Sequence, residues 1–312
     1  MKWSVSTSRI FYQCARKWYY ETVFADSRSK HPERQEAYVL KRLQSVHSWR
    51  GKVVDHVISR FIVPRLNKHE SFESDEVFSY ANRLMEAQLK FAIEGRYRNG
   101  AKSDNEDFCA LFELEYNGSI EDKAIENAKK EVEISLTNLL ASSLMRELAE
   151  EGQYLIAQRT LQFQFSEVNV KCTPDLIVFF KSKSPVIIDW KVQVPWHRDH
   201  WLQLGVYGLA LSRVMPHKDF PHKWYDVLTD PSKIRLIEFQ LLRNQQIQYI
   251  LSQEDVINIE DYIYTSSNRM LQVINGREKP PELVVELLPT ARSPDICLKC
   301  KFKKICWKGN FS

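Results

Sequence analysis

Apolar positions in the first half of the chain recur at helical spacing. Those in the second half alternate or run together, as strands do. Residues 6–21 place Ile10, Phe11, Cys14 and Trp18 on one helical face, behind Ser6 or Thr7 as an N-cap. A second helix is expected from about Glu36 to Val63. Val53, Val54, Val57, Ile58, Phe61 and Ile62 form its buried stripe, and Pro64 stops it. Residues 74–95 and 119–149 also read as helices, separated by a polar loop at 100–105. Then the pattern changes. Leu161, Phe163 and Phe165 alternate with polar residues. Residues 168–180 and 185–194 are rich in Val, Ile and Phe and read as two strands joined around 181–184. A helix follows from about Arg198 to Arg213, then a strand pair over 234–251 turning near Arg243 and Asn244. A last helix over 254–275 is closed by Gly276.

This order predicts an α/β core with a helical insertion at 65–150 and a cysteine-rich closing segment at 295–307. No clean linker divides the 312 residues, so one domain spans 1–312. Basic residues number 44 against 40 acidic, a net charge of +4. That balance is too mild to prove nucleic-acid binding, so any basic surface must be local. No apolar run reaches the length of a membrane span, and Met1–Ser6 lacks the apolar core of a signal peptide. A reducing cytoplasm is the expected compartment, where six cysteines suggest metal binding or free thiols.

Two constellations carry candidate chemistry. Asp189 and Lys191 flank Trp190 at the end of the apolar run Val186-Ile187-Ile188, and alternation points them to one face. The carboxylate suits a hard cation, and the lysine suits a water or a developing phosphate charge. Asp175, after Pro174, abuts a second apolar run and is placed to join the same cation. Taken alone, Asp-x-Lys is far more often a surface ion pair. Acids beside such apolar strands are costly unless paired or metal-bound, which favours the site. His56, at the edge of a helical stripe, becomes a ligand candidate only because those acids exist. Gln203 and Tyr207 share one helical face and suit either phosphate contact or core packing. The second constellation is Cys297, Cys300 and Cys306 among lysines. Its fourth ligand is best supplied by Cys14, with Cys109 and Cys172 as alternatives; structural zinc and an iron–sulfur cluster both fit the ligand type.

Together these residues resemble the RecB-like branch of the PD-(D/E)XK nuclease superfamily. They are similar above all to its iron–sulfur forms, the AddB nuclease domain and the four-cysteine CRISPR-associated exonucleases. The resemblance runs through Ser6-Thr7-Ser8, Cys14 and Trp18-Tyr19-Tyr20, then His56, Pro174-Asp175, Asp189 with Lys191, Gln203 with Tyr207, and the three closing cysteines. It leaves 65–150 unmatched and departs at Ala15, where proline often stands. It implies a mixed sheet flanked by helices and a catalytic set of His56, Asp175, Asp189, Lys191, Gln203 and Tyr207. It implies Mg²⁺ or Mn²⁺ held by His56, Asp175, Asp189 and the Trp190 carbonyl. It also implies a [4Fe–4S] cluster on Cys14, Cys297, Cys300 and Cys306 that staples the N-terminus to the C-terminus. The expected activity is DNA cleavage from single strands or ends, in repair, recombination or antiviral defence. The alternative is a catalytically silent end-binding subunit of a helicase or defence complex. An electron-transfer role fits the cysteines but leaves the acids and lysine unexplained. DNA contacts are expected from Arg16, Lys17, Trp18, Tyr19, Lys301 and Lys303, since aromatics among cations suit single strands.

Overall fold

The computed structural model describes residues 1–99, 105–192, 200–214, 218, 220–221, 230–274, 285 and 288–307. Strand β1 (Lys2–Trp3) leads into helices α1 (Val5–Gln13) and α2 (Ala15–Tyr19). Helices α3 (Pro32–Lys41), α4 (Val46–Val57), α5 (Val63–Asn67), α6 (Ser74–Ile93), α7 (Phe112–Asn117), α8 (Asp122–Leu140) and α9 (Ser143–Glu151) follow. Strands β2 (Gly152–Ala157), β3 (Leu161–Phe165), β4 (Val168–Cys172), β5 (Leu176–Phe180) and β6 (Val186–Lys191) come next. Helix α10 (His200–Arg213), strands β7 (Arg235–Gln240) and β8 (Gln245–Tyr249), and helices α11 (Gln253–Val273), α12 (Pro294–Leu298) and α13 (Lys303–Cys306) complete the order.

The strands form two mixed sheets. One has the order β1-β4-β3, with β1 parallel to β4. The other has the order β2-β5-β6-β7-β8, with β6 and β7 parallel and the remaining pairs antiparallel. In β6 the residues Val186–Trp190 are all buried, as befits a central strand covered on both faces. Val186, Ile188 and Trp190 share a core with Val178, Phe239, Trp49, Val54, Met85 and Leu136. Ile187 faces the other way, with Ile177, Leu236, Leu204, Ile259 and Phe163. The helices of 65–150 therefore pack on the same core as the sheet.

Several boundaries differ from the sequence reading, each for a local reason. The expected 6–21 helix breaks at Cys14, whose backbone is extended (φ −165°). Its true N-cap is Ser4, with Thr7 completing a capping box. The expected 36–63 helix breaks before α4, where Ser45 caps a fresh start and Gln44 bridges to Leu111. Pro64 does not stop α4. The chain widens into a π-helical turn (Ile58–Ile62), with the Val63 N–H reaching back to the Ile58 carbonyl, and Pro64 sits in the first turn of α5. The wider turn relieves the clash between a proline ring and the carbonyl four residues earlier. The 168–180 run is two strands in different sheets, parted at Thr173-Pro174-Asp175. A proline has no N–H for a ladder. Strand β2 was missed because it follows α9 directly and its Gln153 and Tyr154 are exposed. Residues 100–104, 193–199 and Gly276 lie outside the described residues, with the loop, strand-end and C-cap expected there.

Helix α10 approaches its neighbours closely through glycine. A β-carbon at Gly205 would lie 2.6 Å from the Ile259 Cδ1 of α11, too close without a shift. Gly205→Val is expected to destabilise the fold by about 1–3 kcal/mol through overpacking. Urea unfolding checks this; an unchanged midpoint would mean α10 and α11 are not tightly apposed.

Candidate active centre and cysteine pocket

The register of β5 and β6 builds the centre. Leu176 pairs with Ile188, so one further step places Asp175 opposite Asp189. In the parallel ladder on the other side, Asp189 pairs with Glu238. Three acids thus lie side by side across the sheet. Asp189 and Glu238 are 2% and 1% exposed. Carboxylates so placed cost several kcal/mol each unless partnered. Asp189 pairs with the Lys191 ammonium and accepts a hydrogen bond from Gln203 Nε2 at 3.1 Å. Gln203 Nε2 also donates to the Tyr207 hydroxyl at 2.6 Å. Asp175 accepts from the Trp190 N–H at 2.9 Å and from Gln158 Nε2 at 3.2 Å. Glu238 accepts from Gln240 Nε2 at 2.9 Å.

Helix α4 adds a carboxylate to this group, and it is Asp55. Gln158 Nε2 donates to Asp55 at 2.7 Å as well as to Asp175, so the amide bridges the two acids. Burial, with the Asp189 charge adding to it, pushes the Asp55 carboxyl up to about 6. Burial and the charges of Asp189 and Asp55 raise Asp175 well above the carboxylate range. Burial also works against the Lys191 ammonium, but Asp189, Asp175 and Glu238 outweigh it and hold its pKa above the usual lysine value.

The expectation for His56 is corrected here. Its Nε2 lies 3.2 Å from the Tyr80 hydroxyl and 3.1 Å from Glu106 Oε1, and its ring stacks on Tyr80. Successive helical positions point in different directions, so one residue separates a ligand candidate from a bystander. The signal for Asp55 was an acid set between Val54 and Val57, the same signal that singled out Asp175. Glu238 inside Leu236–Phe239 carried it too. His200, at the start of α10, also faces the centre; burial lowers its pKa against the opposing pull of Glu238. The Trp190 ring is buried beside Phe239 at 6.2 Å.

Cys14, Cys297, Cys300 and Cys306 line one cavity of about 720 Å³. Cys14 sits at the break between α1 and α2, its Sγ accepting from the Lys17 N–H at 3.3 Å. Arg16 reaches the Leu288 carbonyl at 3.2 Å and Cys306 Sγ at 3.9 Å. Burial raises the Cys300 thiol to about 11 and raises Cys306. Cys109 and Cys172 lie apart, buried in the cores on either side of the sheet. All six cysteines are free thiols. Among the described residues, no three His, Cys, Asp or Glu side chains converge closely enough to chelate an ion as they stand.

The expected DNA contacts divide. Trp18 and Tyr19 are corrected to core residues, 1% and 4% exposed, and are closed to base stacking. Arg16 is committed to the tail. Lys301 Nζ binds Glu21 at 3.0 Å and the Lys41 carbonyl at 2.6 Å. Lys303 lies over the Tyr116 ring at 4.2 Å, and Lys17 reaches Gln13 at 3.3 Å.

Oxygen ligands and an ammonium gathered at a strand end are the equipment of a phosphoryl-transfer centre. A model of the PD-(D/E)XK nuclease superfamily matches residues 2–307, and the chain belongs to that superfamily. Its members are usually phosphodiester-hydrolysing nucleases that use Mg²⁺ or Mn²⁺. No curated protein matches the chain. No helix of the described residues is long and apolar enough to cross a membrane.

Glu115 fastens the tail to the helical half. It pairs with Lys304 and Arg98 and accepts a hydrogen bond from the Tyr97 hydroxyl. Burial opposes its charge, but Arg98, Lys304 and Tyr97 prevail and hold its carboxyl down at about 2. A depressed carboxylate stabilises the fold above its unfolded pKa of about 4.3 and loses that contribution as pH falls towards the folded value. Glu115→Gln is therefore expected to be less stable than wild type at pH 7, with the gap narrowing between pH 4 and 2. Urea unfolding across that range checks it; a gap independent of pH would contradict the ion-pair account.

Proposed function

We propose that the protein is a Mg²⁺- or Mn²⁺-dependent deoxyribonuclease of the RecB-like branch. It acts as an exonuclease on single strands or DNA ends, in repair, recombination or defence. The observation that carries this reading is the convergence of Asp175, Asp189 and Lys191 at the ends of β5 and β6, with Asp55 added from α4.

Hard oxygen donors fit a hard cation, and the crowding of Asp55, Asp175 and the buried Asp189 is a repulsion that a cation relieves. Asp55, Asp175 and Asp189 would hold it, with the Trp190 carbonyl. When bound, it would supply a Lewis acid for the scissile phosphate and an activated water. The Lys191 ammonium, held against Asp189, then neutralises charge growing on the phosphate and orients the water. Gln203 fixes the Asp189 carboxylate, and Tyr207 fixes Gln203. Gln158 keeps Asp55 and Asp175 facing one point.

The reading includes a [4Fe–4S] cluster on Cys14, Cys297, Cys300 and Cys306. The sharing of one cavity by these four thiols, with Cys109 and Cys172 elsewhere, supports it. Thiolates are the ligands such clusters take. When bound, the cluster would tie the α1–α2 break to the closing segment, where Tyr20 already stacks on Phe302 at 5.6 Å.

Cleavage of 5′- and 3′-labelled single and double strands with Mn²⁺ tests the activity. Lys191→Ala is expected to lower the rate by about 100-fold or more. Asp55→Asn is expected to lower it similarly, and His56→Ala to leave it within a few-fold. Wild-type cleavage by Lys191→Ala would overturn the centre. Anaerobically purified protein is expected to hold about four iron and four sulfide per chain. Cys14→Ala is expected to lose them, and Cys172→Ala to keep them. A colourless wild-type protein holding one zinc would overturn the cluster.

A further inference from the structure

We propose that a basic groove between α2, α3, α4 and the cysteine-rich tail is the track that leads a single DNA strand to the acids; this rests on the nuclease reading above. The groove encloses about 850 Å³ and is lined by the basic side chains Lys17, Lys41, Arg42, Lys52, Lys299 and Lys301. Among the described residues its acids are Glu21 and Glu113. The net positive charge of this one concavity equals that of the whole chain, +4. The surface charge that the composition hides is concentrated here.

The fold engages some of these cations, Lys301 with Glu21 and Arg42 with the Tyr97 carbonyl at 2.6 Å, but Lys41 and Lys52 form no ion pair with an acid among the described residues. Glu113 accepts the Val46 N–H at 3.1 Å, at the start of α4. Lys52 makes no hydrogen bond or ion pair with any described residue and is exposed to solvent. Surrounding protein nevertheless lowers its pKa, and the Lys301 charge adds to that. Accessible yet desolvated, Lys52 stands in a concavity. Lys41 shows the same two causes, burial first and Lys301 further down, with Glu21 opposing. Like charges crowded in this way favour a polyanion, which relieves the repulsion and releases counterions.

Direction and size narrow the ligand. Lys52 and Asp55 are three residues apart on α4 and so share a helical face. The groove therefore ends one turn from the acid cluster. Its volume, about 850 Å³, leaves room for a few nucleotides. Phe112 also lines it and offers a ring to a base.

The test is anisotropy of a fluorescein-labelled single-stranded oligonucleotide, titrated without divalent cations at several salt concentrations. Lys41→Gln with Lys52→Gln is expected to weaken binding on the order of tenfold and to flatten the plot of log affinity against log salt by about 1.4, two phosphate contacts' worth. Lys183→Gln with Lys233→Gln removes equal charge from lysines paired elsewhere, with Glu147, Glu151 and Asp230. It is expected to change neither quantity. Thermal unfolding confirms that both variants are folded. Equal effects of the two pairs, an unchanged slope in the groove variant, or weakened binding of duplex alone would each overturn the proposal. Because binding is read without cleavage, a wild type that binds but does not cut would sink the nuclease reading and leave the groove standing.

Discussion

The structure turns on the facing of Asp175 and Asp189 across the β5–β6 register. Strand pairing fixes this juxtaposition, and a slip of one residue in either strand would send that strand's acid to the opposite face and part the two. The long apolar runs on each strand hold the register, since they are buried on both sides of the sheet. The fold's hydrophobic energy thereby forces together charges that repel. Lys191, Gln203, Gln158 and the Trp190 N–H offset part of the cost. The remainder is a standing affinity for positive charge, which is what a metal-dependent nuclease needs at its centre.

The helices are arranged around that constraint. Helix α4 lies on the far core of the sheet and still delivers Asp55 to the group through Gln158. Helix α10, drawn in by Gly205 and Gly208, brings Gln203 and Tyr207 from the other side. The cysteine pocket and the Glu115 ion pairs fasten the closing segment to the first helices, where the basic groove begins. The tethered tail adjoins the cationic concavity, and the proposed track runs from there to the acid cluster.

Much of the centre was legible in the sequence. Asp175, Asp189 and Lys191 stand beside apolar runs, and Gln203 and Tyr207 are a helical turn apart; pattern made them candidates, and the family resemblance joined them into one set. Spacing grouped Cys297, Cys300 and Cys306 and favoured Cys14 as the fourth, with Cys109 and Cys172 left as alternatives; the fold puts Cys14 in the same cavity as the other three. His56 was misjudged because residue type was weighed above direction: the histidine has the better ligand chemistry, but Asp55 has the bearing. Trp18 and Tyr19 were misread because aromatics among cations look alike whether they face solvent or core. The breaks at Cys14 and Pro174 depend on where the chain must go next, which no local pattern states. Lys41 and Lys52 carry no motif, and only the fold gathers them with Lys301.

In the proposed site Asp55, Asp175 and Asp189 hold the divalent cation and His56 does not. Titration of Mn²⁺ into the protein, followed by the electron paramagnetic resonance of the free ion, distinguishes the two ligand sets. One tight site is expected in the wild type, with an affinity at least about tenfold weaker in Asp55→Asn, as expected when a charged oxygen ligand is lost, and no such loss in His56→Gln. Tight binding that survives Asp55→Asn and disappears in His56→Gln would contradict it.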